Sequence, residues 1–299
     1  MEEPIPMSET TETVEVVPEV DPRMLEALIA LRQPLDELHP HFKCCVYGDS
    51  GFGKTVWAMK LAQAITPPDK TIEFIDHMEG WVSLANHKGL RDRAHRQKYT
   101  GFSQVEFLAE VIAKGIQPFD NIGTVILDEF SSMTYNDLDI LVKAQKKDTP
   151  EWPEYYAGQE RARRCLEKLL NQSINVICVA HIREDKLSSG LIVTRPKFVP
   201  GFNDIFRQLM HLVTHLSAEE FIQEDGTADY RRSFQVHPTK RVNAKTRVGG
   251  LPVNVEGDEL IVAIQEWMQG ERETEHNDII IPDKETAVES SEQVNETDI

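Results

Sequence analysis

Short apolar runs alternate with stretches in which apolar residues recur every three or four positions along most of the chain. The runs predict β-strands, and the longer spacing predicts amphipathic helices. In the stretch 103–115, for example, Val105, Leu108 and Ile112 fall on one face of a helix. The run 174–180 is apolar throughout, as is typical of a strand whose two faces are both covered.

The predicted elements alternate between strand and helix, which favours an α/β fold with a mostly parallel sheet sandwiched by helices. The predicted strands are 42–47, 71–76, 98–102, 123–127 and 174–180. The predicted helices are 54–65, 103–115, 135–147, 158–171 and 258–268. Residues 190–255 contain shorter strand-like runs with more Pro and Gly.

A phosphate-binding loop is the clearest motif in the chain. The segment Gly48–Thr55 fits the pattern G-x-x-x-x-G-K-[ST] and joins the first predicted strand to the first predicted helix. Its backbone N–H groups and the helix N-terminus are suited to surround phosphate oxygens. We expect ATP and Mg²⁺ as ligands, with Lys54 on the β- and γ-phosphates and Thr55 on the metal. The candidate phosphate-binding residues are Gly48, Asp49, Ser50, Gly51, Phe52, Gly53, Lys54 and Thr55.

Acidic residues follow two of the predicted strands. The run 124–127 ends in Asp128 and Glu129. In P-loop enzymes an aspartate in this position lies beside the loop and holds Mg²⁺, so Asp128 joins Thr55 as a candidate metal ligand. A carboxylate is also needed to orient the attacking water. Glu79, which follows the second predicted strand, and Glu129 are both candidates, and these patterns alone do not choose between them.

His181 is a candidate sensor of the γ-phosphate. It directly follows the apolar run 174–180. A polar side chain at the tip of a strand beside the phosphate loop is able to hydrogen-bond to that phosphate. The alternative is a histidine that simply ends a strand.

The net charge of −18 is concentrated at the two ends. Residues 1–22 carry seven acidic and no basic residues, and residues 271–299 carry ten acidic and two basic residues, which leaves −3 for residues 23–270. Both ends are poor in aromatic residues, so we predict disordered acidic tails flanking one ATPase domain at 23–270. Such tails solubilise a protein, dock a partner protein, or compete with DNA for a basic groove.

Neither a membrane span nor a signal peptide is expected. No apolar run approaches the roughly 20 residues that span a bilayer, and the acidic N-terminus lacks a basic and an apolar region. The four cysteines form no C-x-x-C pair, which indicates reduced thiols that are mostly buried. We therefore expect a cytoplasmic protein, in a bacterial host if phage-encoded, with no membrane partner.

These features resemble the RecA/RadA-like ATPases, and more narrowly the phage nucleotide-binding proteins of single-strand annealing and recombination. The resemblance covers roughly residues 40–255. The segment Phe74–Glu79 is similar to the strand that carries the catalytic glutamate of RecA-type enzymes, with one extra residue before the glutamate. The segments Trp152–Tyr155 and Val199–Phe202 are similar to segments of the phage group. The resemblance favours Glu79 as the catalytic glutamate.

The segment Ala244–Pro252 resembles the K-N-R-F-G motif of RadA, with Thr246 in place of Asn and Val248 in place of Phe. In that family the Lys and Arg of the motif reach the nucleotide of a neighbouring subunit. The resemblance therefore implies that Lys245 and Arg247 act in trans within a ring or filament of identical subunits. An arginine near the γ-phosphate stabilises transition-state charge, which agrees with this role.

The resemblance also implies two DNA-binding loops. Segment 143–156 offers lysines and aromatic residues, and segment 183–202 offers basic residues and a flexible Ser-Ser-Gly. Bases stack on aromatic rings while lysines follow the phosphates. We therefore predict an ATP-hydrolysing, RecA-like protein that acts on single-stranded DNA in phage recombination or replication. The alternatives are a helicase loader or packaging-type motor, and a nucleotide-gated interaction module with little turnover.

Overall fold

The computed structural model describes residues 41–223 and 228–272, together with residues 23 and 26. Every strand and helix given below lies in the compact unit Pro40–Ile299. The predicted N-terminal tail, 1–22, and residues 273–299 of the predicted C-terminal tail lie outside the described residues. No helix in the described part of the chain combines the length and the apolar composition that crossing a membrane requires.

A ten-stranded sheet organises the described residues. Its strands are β1 (Lys43–Gly48), β2 (Thr71–Asp76), β3 (Ala94–Lys98), β4 (Ile122–Asp128), β5 (Asn175–Lys186), β6 (Ile192–Pro196), β7 (Leu212–Ile222), β8 (Ala228–Gln235), β9 (Lys245–Thr246) and β10 (Asn254–Glu256). The order across the sheet is β10-β8-β7-β1-β5-β4-β2-β3, with β6 paired to β5 and β9 paired to β7. Neighbours from β7 to β3 are parallel, and the remaining pairs are antiparallel.

Six α-helices in the described residues cover both faces of the sheet. They are α1 (Lys54–Ile65), α2 (Phe102–Ala113), α3 (Phe130–Ala144), α4 (Trp152–Leu170), α5 (Phe202–Leu209) and α6 (Gly257–Gln269). Short 3-10 helices lie at Gly80–Leu84, Lys88–Arg91 and Phe119–Asn121. Helices α2 to α5 share one apolar core with the sheet, and α1 and α6 share the other.

The central strands are buried on both faces, and alternate side chains enter the two cores. In β1, Cys45 and Tyr47 pack beneath α2 to α5, whereas Cys44 and Val46 pack beneath α1 and α6. This double burial explains why the central strands read as unbroken apolar runs. The predicted α/β sandwich with a mostly parallel sheet is confirmed, and all four cysteines are buried.

The third predicted strand was wrong. The apolar residues of 98–102 favoured a strand there, but β3 spans Ala94–Lys98 and Phe102 begins α2. Strand β3 is the last strand of the sheet and pairs only with β2. Its side chains are exposed or half-buried, so its sequence has no apolar pattern that marks a strand.

Three other elements extend further than the sequence indicated. Helix α4 begins at Trp152 rather than at residue 158, within the segment 143–156 that was expected to be a DNA-binding loop. Helix α3 begins at Phe130, directly after the acidic pair, rather than at residue 135. Strand β5 continues to Lys186 and forms a hairpin with β6, in a region expected to be a loop. In this hairpin Asp185 binds Arg183 on the same strand and Arg195 across the antiparallel pair, so its sequence is charged and has no apolar strand pattern.

The sheet order determines which strand ends meet. Strand β1 lies between β5 and β7, and β4 and then β2 follow on the far side of β5. Strand β2 is therefore not adjacent to β1, but it is adjacent to β4. The register pairs Gly48 with His181 and Asp76 with Asp128, which aligns the ends of β1, β2 and β4 with His181, the last residue of β5 that pairs with β1.

Candidate active site

The phosphate loop begins at Gly48 and ends where α1 begins. A Cβ at Gly48 would lie 2.4 Å from the carbonyl oxygen of Leu216, so no side chain fits there. Gly53 has a φ of +90°, in the left-handed region that favours glycine, and it forms the N-cap of α1. No side chain caps α1 and its first turn has no acidic residue. The N–H groups of this helix end are therefore available to an anion.

The Lys54 ammonium lies inside the loop. Its Nζ donates to the carbonyl oxygens of Gly48 at 3.0 Å and Asp49 at 2.7 Å. Burial lowers the pKa of Lys54, and the carboxylates of Glu129 and Asp128 oppose that shift. An ammonium held at the centre of a curled backbone segment is in place to bind phosphate oxygens.

Thr55 and Asp128 meet across the site. The Thr55 hydroxyl donates to Asp128 Oδ2 at 2.8 Å, although 73 positions separate the two residues. Burial raises the pKa of Asp128 to about 7, with further contributions from Glu129 and Asp76. A hydroxyl and a carboxylate are hard oxygen donors of the kind that Mg²⁺ prefers. The side chains present therefore fit this metal.

The turn after β2 is fixed against Asp128. The buried carboxylate of Asp76 accepts from the N–H of Gly80 at 2.9 Å and from Arg96 Nε at 2.7 Å. A Cβ at Gly80 would lie only 2.1 Å from Asp128 Oδ2, so the backbone of the turn passes directly beside that carboxylate. Glu79 lies on this turn with a φ of 59° and is exposed. The structure thus brings Glu79 to the same edge as Asp128.

Glu129 is buried and holds two elements together. Glu129 is the N-cap of α3, and its carboxylate accepts hydrogen bonds from the N–H and the hydroxyl of Ser132. The same carboxylate accepts from the N–H of His181 at 2.7 Å. The His181 ring lies 3.4 Å from the same carboxylate. Burial lowers the pKa of His181 and Glu129 opposes the shift. His181 is thus half-buried and pairs in register with Gly48 of the phosphate loop, but it lies within β5 rather than at the end of the strand as expected.

Lys245 and Arg247 lie at the other edge of the sheet. Strand β9 pairs with the start of β7, whereas the phosphate loop follows the end of the parallel strand β1. The Lys245 ammonium donates to the carbonyl oxygens of Arg207 at 2.9 Å and Gln208 at 3.2 Å, at the end of α5. Arg247 is exposed. The structure therefore does not bring these two residues to the phosphate loop of the same chain.

Charges in the first predicted DNA segment are largely paired within the chain. Lys143 pairs with Asp139, and Lys147 lies 2.8 Å from both Glu151 and Glu154. Two large aromatic side chains of the segment are nevertheless exposed at the start of α4. Trp152 is 82% exposed and Tyr156 is 70% exposed, one helical turn apart.

Two arginines at this edge were not identified from the sequence. Arg96 binds Asp76 and lies 5.1 Å from the ring centroid of Trp81. Arg232, in β8, donates from Nε to the carbonyl oxygen of Phe52 in the phosphate loop at 2.9 Å. The two partners of the second contact are 180 residues apart, and no local pattern in the sequence marks such a contact.

Comparison with known proteins agrees with this geometry. The family model of the AAA domain matches residues 41–248, which is more than half of the chain and includes the phosphate loop, Asp128 and Arg247. A comparison with curated proteins finds no match. The family match indicates nucleotide binding and ATPase activity, typically with Mg²⁺. The chain belongs to the AAA domain family of P-loop ATPases.

Proposed function

We propose that this protein binds and hydrolyses ATP as a RecA-like protein that acts on single-stranded DNA in phage recombination or replication. The observation that carries the proposal is the hydrogen bond between Thr55 and Asp128 beside the buried ammonium of Lys54. In this proposal Lys54 binds the β- and γ-phosphates, and Thr55 and Asp128 hold Mg²⁺. The chemistry that bound Mg²⁺ supplies is neutralisation of charge on those phosphate oxygens.

Glu79 is the glutamate that we assign to the attacking water. Its carboxylate is exposed, and its turn is held against Asp128 by Asp76. The oxygens of Glu129, in contrast, already accept hydrogen bonds from α3 and from the backbone of His181. We assign to Glu129 the role of positioning His181 beside the γ-phosphate, and to Glu79 that of accepting a hydrogen bond from water.

Arg247 is the residue that we assign to a neighbouring subunit's nucleotide. It lies at the edge of the sheet opposite to its own phosphate loop, and β1 alone, with six residues, spans about 20 Å. A head-to-tail contact between copies places one edge against the other and generates a ring or a filament. Lys245, whose ammonium binds the last carbonyl groups of α5, holds the segment that carries Arg247.

Single-stranded DNA is the nucleic acid that we assign to the exposed aromatic pair. Trp152 and Tyr156 present two rings to solvent on one side of α4. Base stacking on such rings needs no particular sequence, which suits a protein that acts along a strand. The basic side chains of the β5–β6 hairpin are the candidates for phosphate contacts.

Steady-state ATP hydrolysis without DNA, with single-stranded DNA and with duplex DNA tests the proposal. We expect stimulation by single strands and loss of turnover in Lys54→Ala. Retained turnover in that variant would remove the assigned phosphate site. Stimulation by duplex alone would instead support a loader or packaging motor, and ATP binding without stimulation by either DNA would support a nucleotide-gated module.

Mixing two inactive variants tests the role of Arg247. Lys54→Ala disables the phosphate loop of its own subunit, and Arg247→Ala disables the contribution to the neighbour. If Arg247 acts in trans, a mixed assembly contains intact sites between the two kinds of subunit, and the mixture regains activity that neither variant has alone. A mixture as inactive as its components would contradict action in trans.

A further inference from the structure

Three cations form a cluster at the edge of the sheet opposite to the phosphate loop. The basic cluster consists of Arg207 at the end of α5, Lys245 in β9 and Arg247 directly after β9, and both arginines are exposed. None of the three side chains forms an ion pair with a described residue. On α4, in contrast, Arg163 and Lys168 each pair with two glutamates.

The charges of the basic cluster act on one another and on a neighbouring histidine. Burial lowers the pKa of Lys245, and the charges of Arg247 and Arg207 lower it further. Burial also lowers the pKa of His211 to about 4, and three neighbouring cations, Arg247 first among them, add to this shift. No carboxylate of the described residues opposes either shift. An acidic ligand at this surface would therefore relieve repulsion between like charges.

A small cavity opens beside the basic cluster. Its volume is about 270 Å³, which is below the roughly 300 Å³ at which sites for small molecules and cofactors begin. A cavity of this size suits side-chain carboxylates rather than a whole cofactor. The residues that line it include no acidic residue and are Arg207, His237, Pro238, Ala244, Lys245 and Thr246.

The described part of the chain ends directly beside the basic cluster. After α6, Arg272 donates from Nε to the carbonyl oxygen of Gly249 at 2.6 Å and from Nη2 to that of Gly250 at 3.0 Å. The same guanidinium lies 3.0 Å from the carboxylate of Glu266, which fixes its position. Gly249 is two residues after Arg247, so their backbones lie at most about 7 Å apart. Position 273 therefore begins next to the cluster.

The sequence that follows this anchor is acidic from its first residue. Residues 273–278 include Glu273, Glu275 and Asp278 and contain no lysine or arginine. Six residues reach at most about 20 Å, which keeps these carboxylates near the edge where Arg272 is bound. In an extended chain, side chains two positions apart lie on the same side, so Glu273 and Glu275 are able to face one surface.

We propose that residues 273–278 dock on the basic cluster of their own chain, with their three carboxylates against the guanidinium groups of Arg207 and Arg247. A single exposed ion pair contributes little, but arginine and carboxylate groups form paired hydrogen bonds. A segment joined to its site by a few residues also has an effective concentration in the millimolar range, so several weak pairs together keep it bound. The docking requires neither ATP nor DNA. Its consequence for turnover rests on the proposed function, because a covered Arg247 does not reach the nucleotide of a neighbouring subunit.

The rate at which phenylglyoxal modifies Arg247 in the full chain, without nucleotide, tests the docking. This reagent reacts with accessible guanidinium groups, and mass spectrometry of peptides gives the rate at each arginine. The docking variant is Glu273→Gln/Glu275→Gln/Asp278→Asn, and the tail control, with the same change of charge, is Glu289→Gln/Glu292→Gln/Glu296→Gln.

We expect Arg247 to react about fivefold faster in the docking variant than in the wild type, and at the wild-type rate in the tail control. Arg91, which is exposed and lies in the 3-10 helix Lys88–Arg91, should react at one rate in all three proteins. Salt at about 1 M should remove the difference at Arg247, because the Debye length then falls to about 3 Å.

Three results would overturn the docking. The first is an equal rate at Arg247 in the wild type and the docking variant. The second is an equal acceleration in the tail control, since the total charge of the tail would then be the cause. The third is protection of Arg247 that increases with protein concentration, because the segment of another copy would then cover it.

Steady-state ATP hydrolysis separates the docking from the proposed function. If Arg247 acts in trans, the docking variant should hydrolyse ATP faster than the wild type does. Faster modification of Arg247 with unchanged hydrolysis would support the docking and contradict the role of Arg247 in trans.

Discussion

Replacing Gly80 by alanine tests whether the turn after β2 belongs to the active site. The turn carries Glu79 and passes beside Asp128, and Asp76 holds it there through the N–H of Gly80. The φ of Gly80 is not in the left-handed region, so alanine is acceptable to the backbone itself. The effect of the substitution therefore comes from the added methyl group.

The size of the effect follows from the contact that the methyl group makes. Its carbon would lie 2.1 Å from Asp128 Oδ2, whereas ordinary contacts begin at 3.4 Å, so the carboxylate or the turn must move by about 1 Å. A misplacement of about 1 Å costs about 100-fold in rate, or about 2.7 kcal/mol in activation free energy. The Lys54 contacts with the loop do not involve this turn, so we expect ATP to bind within a few-fold of wild type.

Steady-state hydrolysis gives kcat and calorimetry gives the Kd for ATP, with Tm measured in parallel to establish folding. Gly89→Ala is the matched control, because no atom lies within 4 Å of the added carbon and the residue lies in the nearby 3-10 helix. We expect Gly89→Ala to behave as wild type. A folded Gly80→Ala protein with wild-type kcat would refute the assignment of this turn to catalysis.

Three further predictions follow from single contacts and charges. Arg96→Ala should lower kcat about tenfold with little change in KM for ATP, because Arg96 holds the carboxylate of Asp76 in place. Arg91→Ala is the control, and a change in KM alone would contradict the role of Arg96 in positioning Asp76. Burial and nearby cations lower the pKa of His211 in the folded protein to about 4. The unfolded chain, in which the pKa is about 6.5, therefore binds the proton at higher pH, and folding stability decreases as the pH falls from about 6.5 to about 4. Urea unfolding should show that His211→Asn loses less stability over this pH range than the wild type does. An equal loss of stability would show that other groups cause it. Deleting residues 273–299, which carry nine acidic residues and one lysine, should tighten binding to single-stranded DNA at low salt. Fluorescence anisotropy measures this affinity, and an unchanged affinity would exclude competition between this segment and DNA.

The parts of the fold that could be predicted are those that local patterns encode. The phosphate loop is a contiguous motif, and β4 and the first half of β5 are buried, so they contain the apolar runs 125–127 and 176–180. The position of Asp128 at the end of β4 follows directly, whereas β5 continues past His181 to Lys186, which the apolar run did not indicate. The edge strand β3 lacks this signal because it is only half-covered.

The parts that could not be predicted depend on contacts between distant segments. Arg232 reaches the phosphate loop only because β8 pairs with β7 and β7 pairs with β1. Arg96 reaches Asp76 because β3 pairs with β2 in one particular register. Single arginines in charged segments do not reveal such partners, since the same residues are equally suited to a solvated surface.

The assignment of the carboxylates required the hydrogen bonds themselves. The carboxylate of Asp76 accepts hydrogen bonds from Gly80 and an arginine, and that of Glu129 accepts from Ser132 in α3 and from the N–H of His181 within β5. A carboxylate has about four acceptor sites, and Glu129 fills three and Asp76 at least two within the described residues, which leaves them fewer sites for water or a metal ion than Asp128 has. Among the described residues, the carboxylate of Asp128 accepts one side-chain hydrogen bond, from Thr55. Burial raises the pKa of Asp128 to about 7, and a neighbouring cation favours its ionised form. Asp128 is therefore suited to the metal, and the exposed Glu79 to the water.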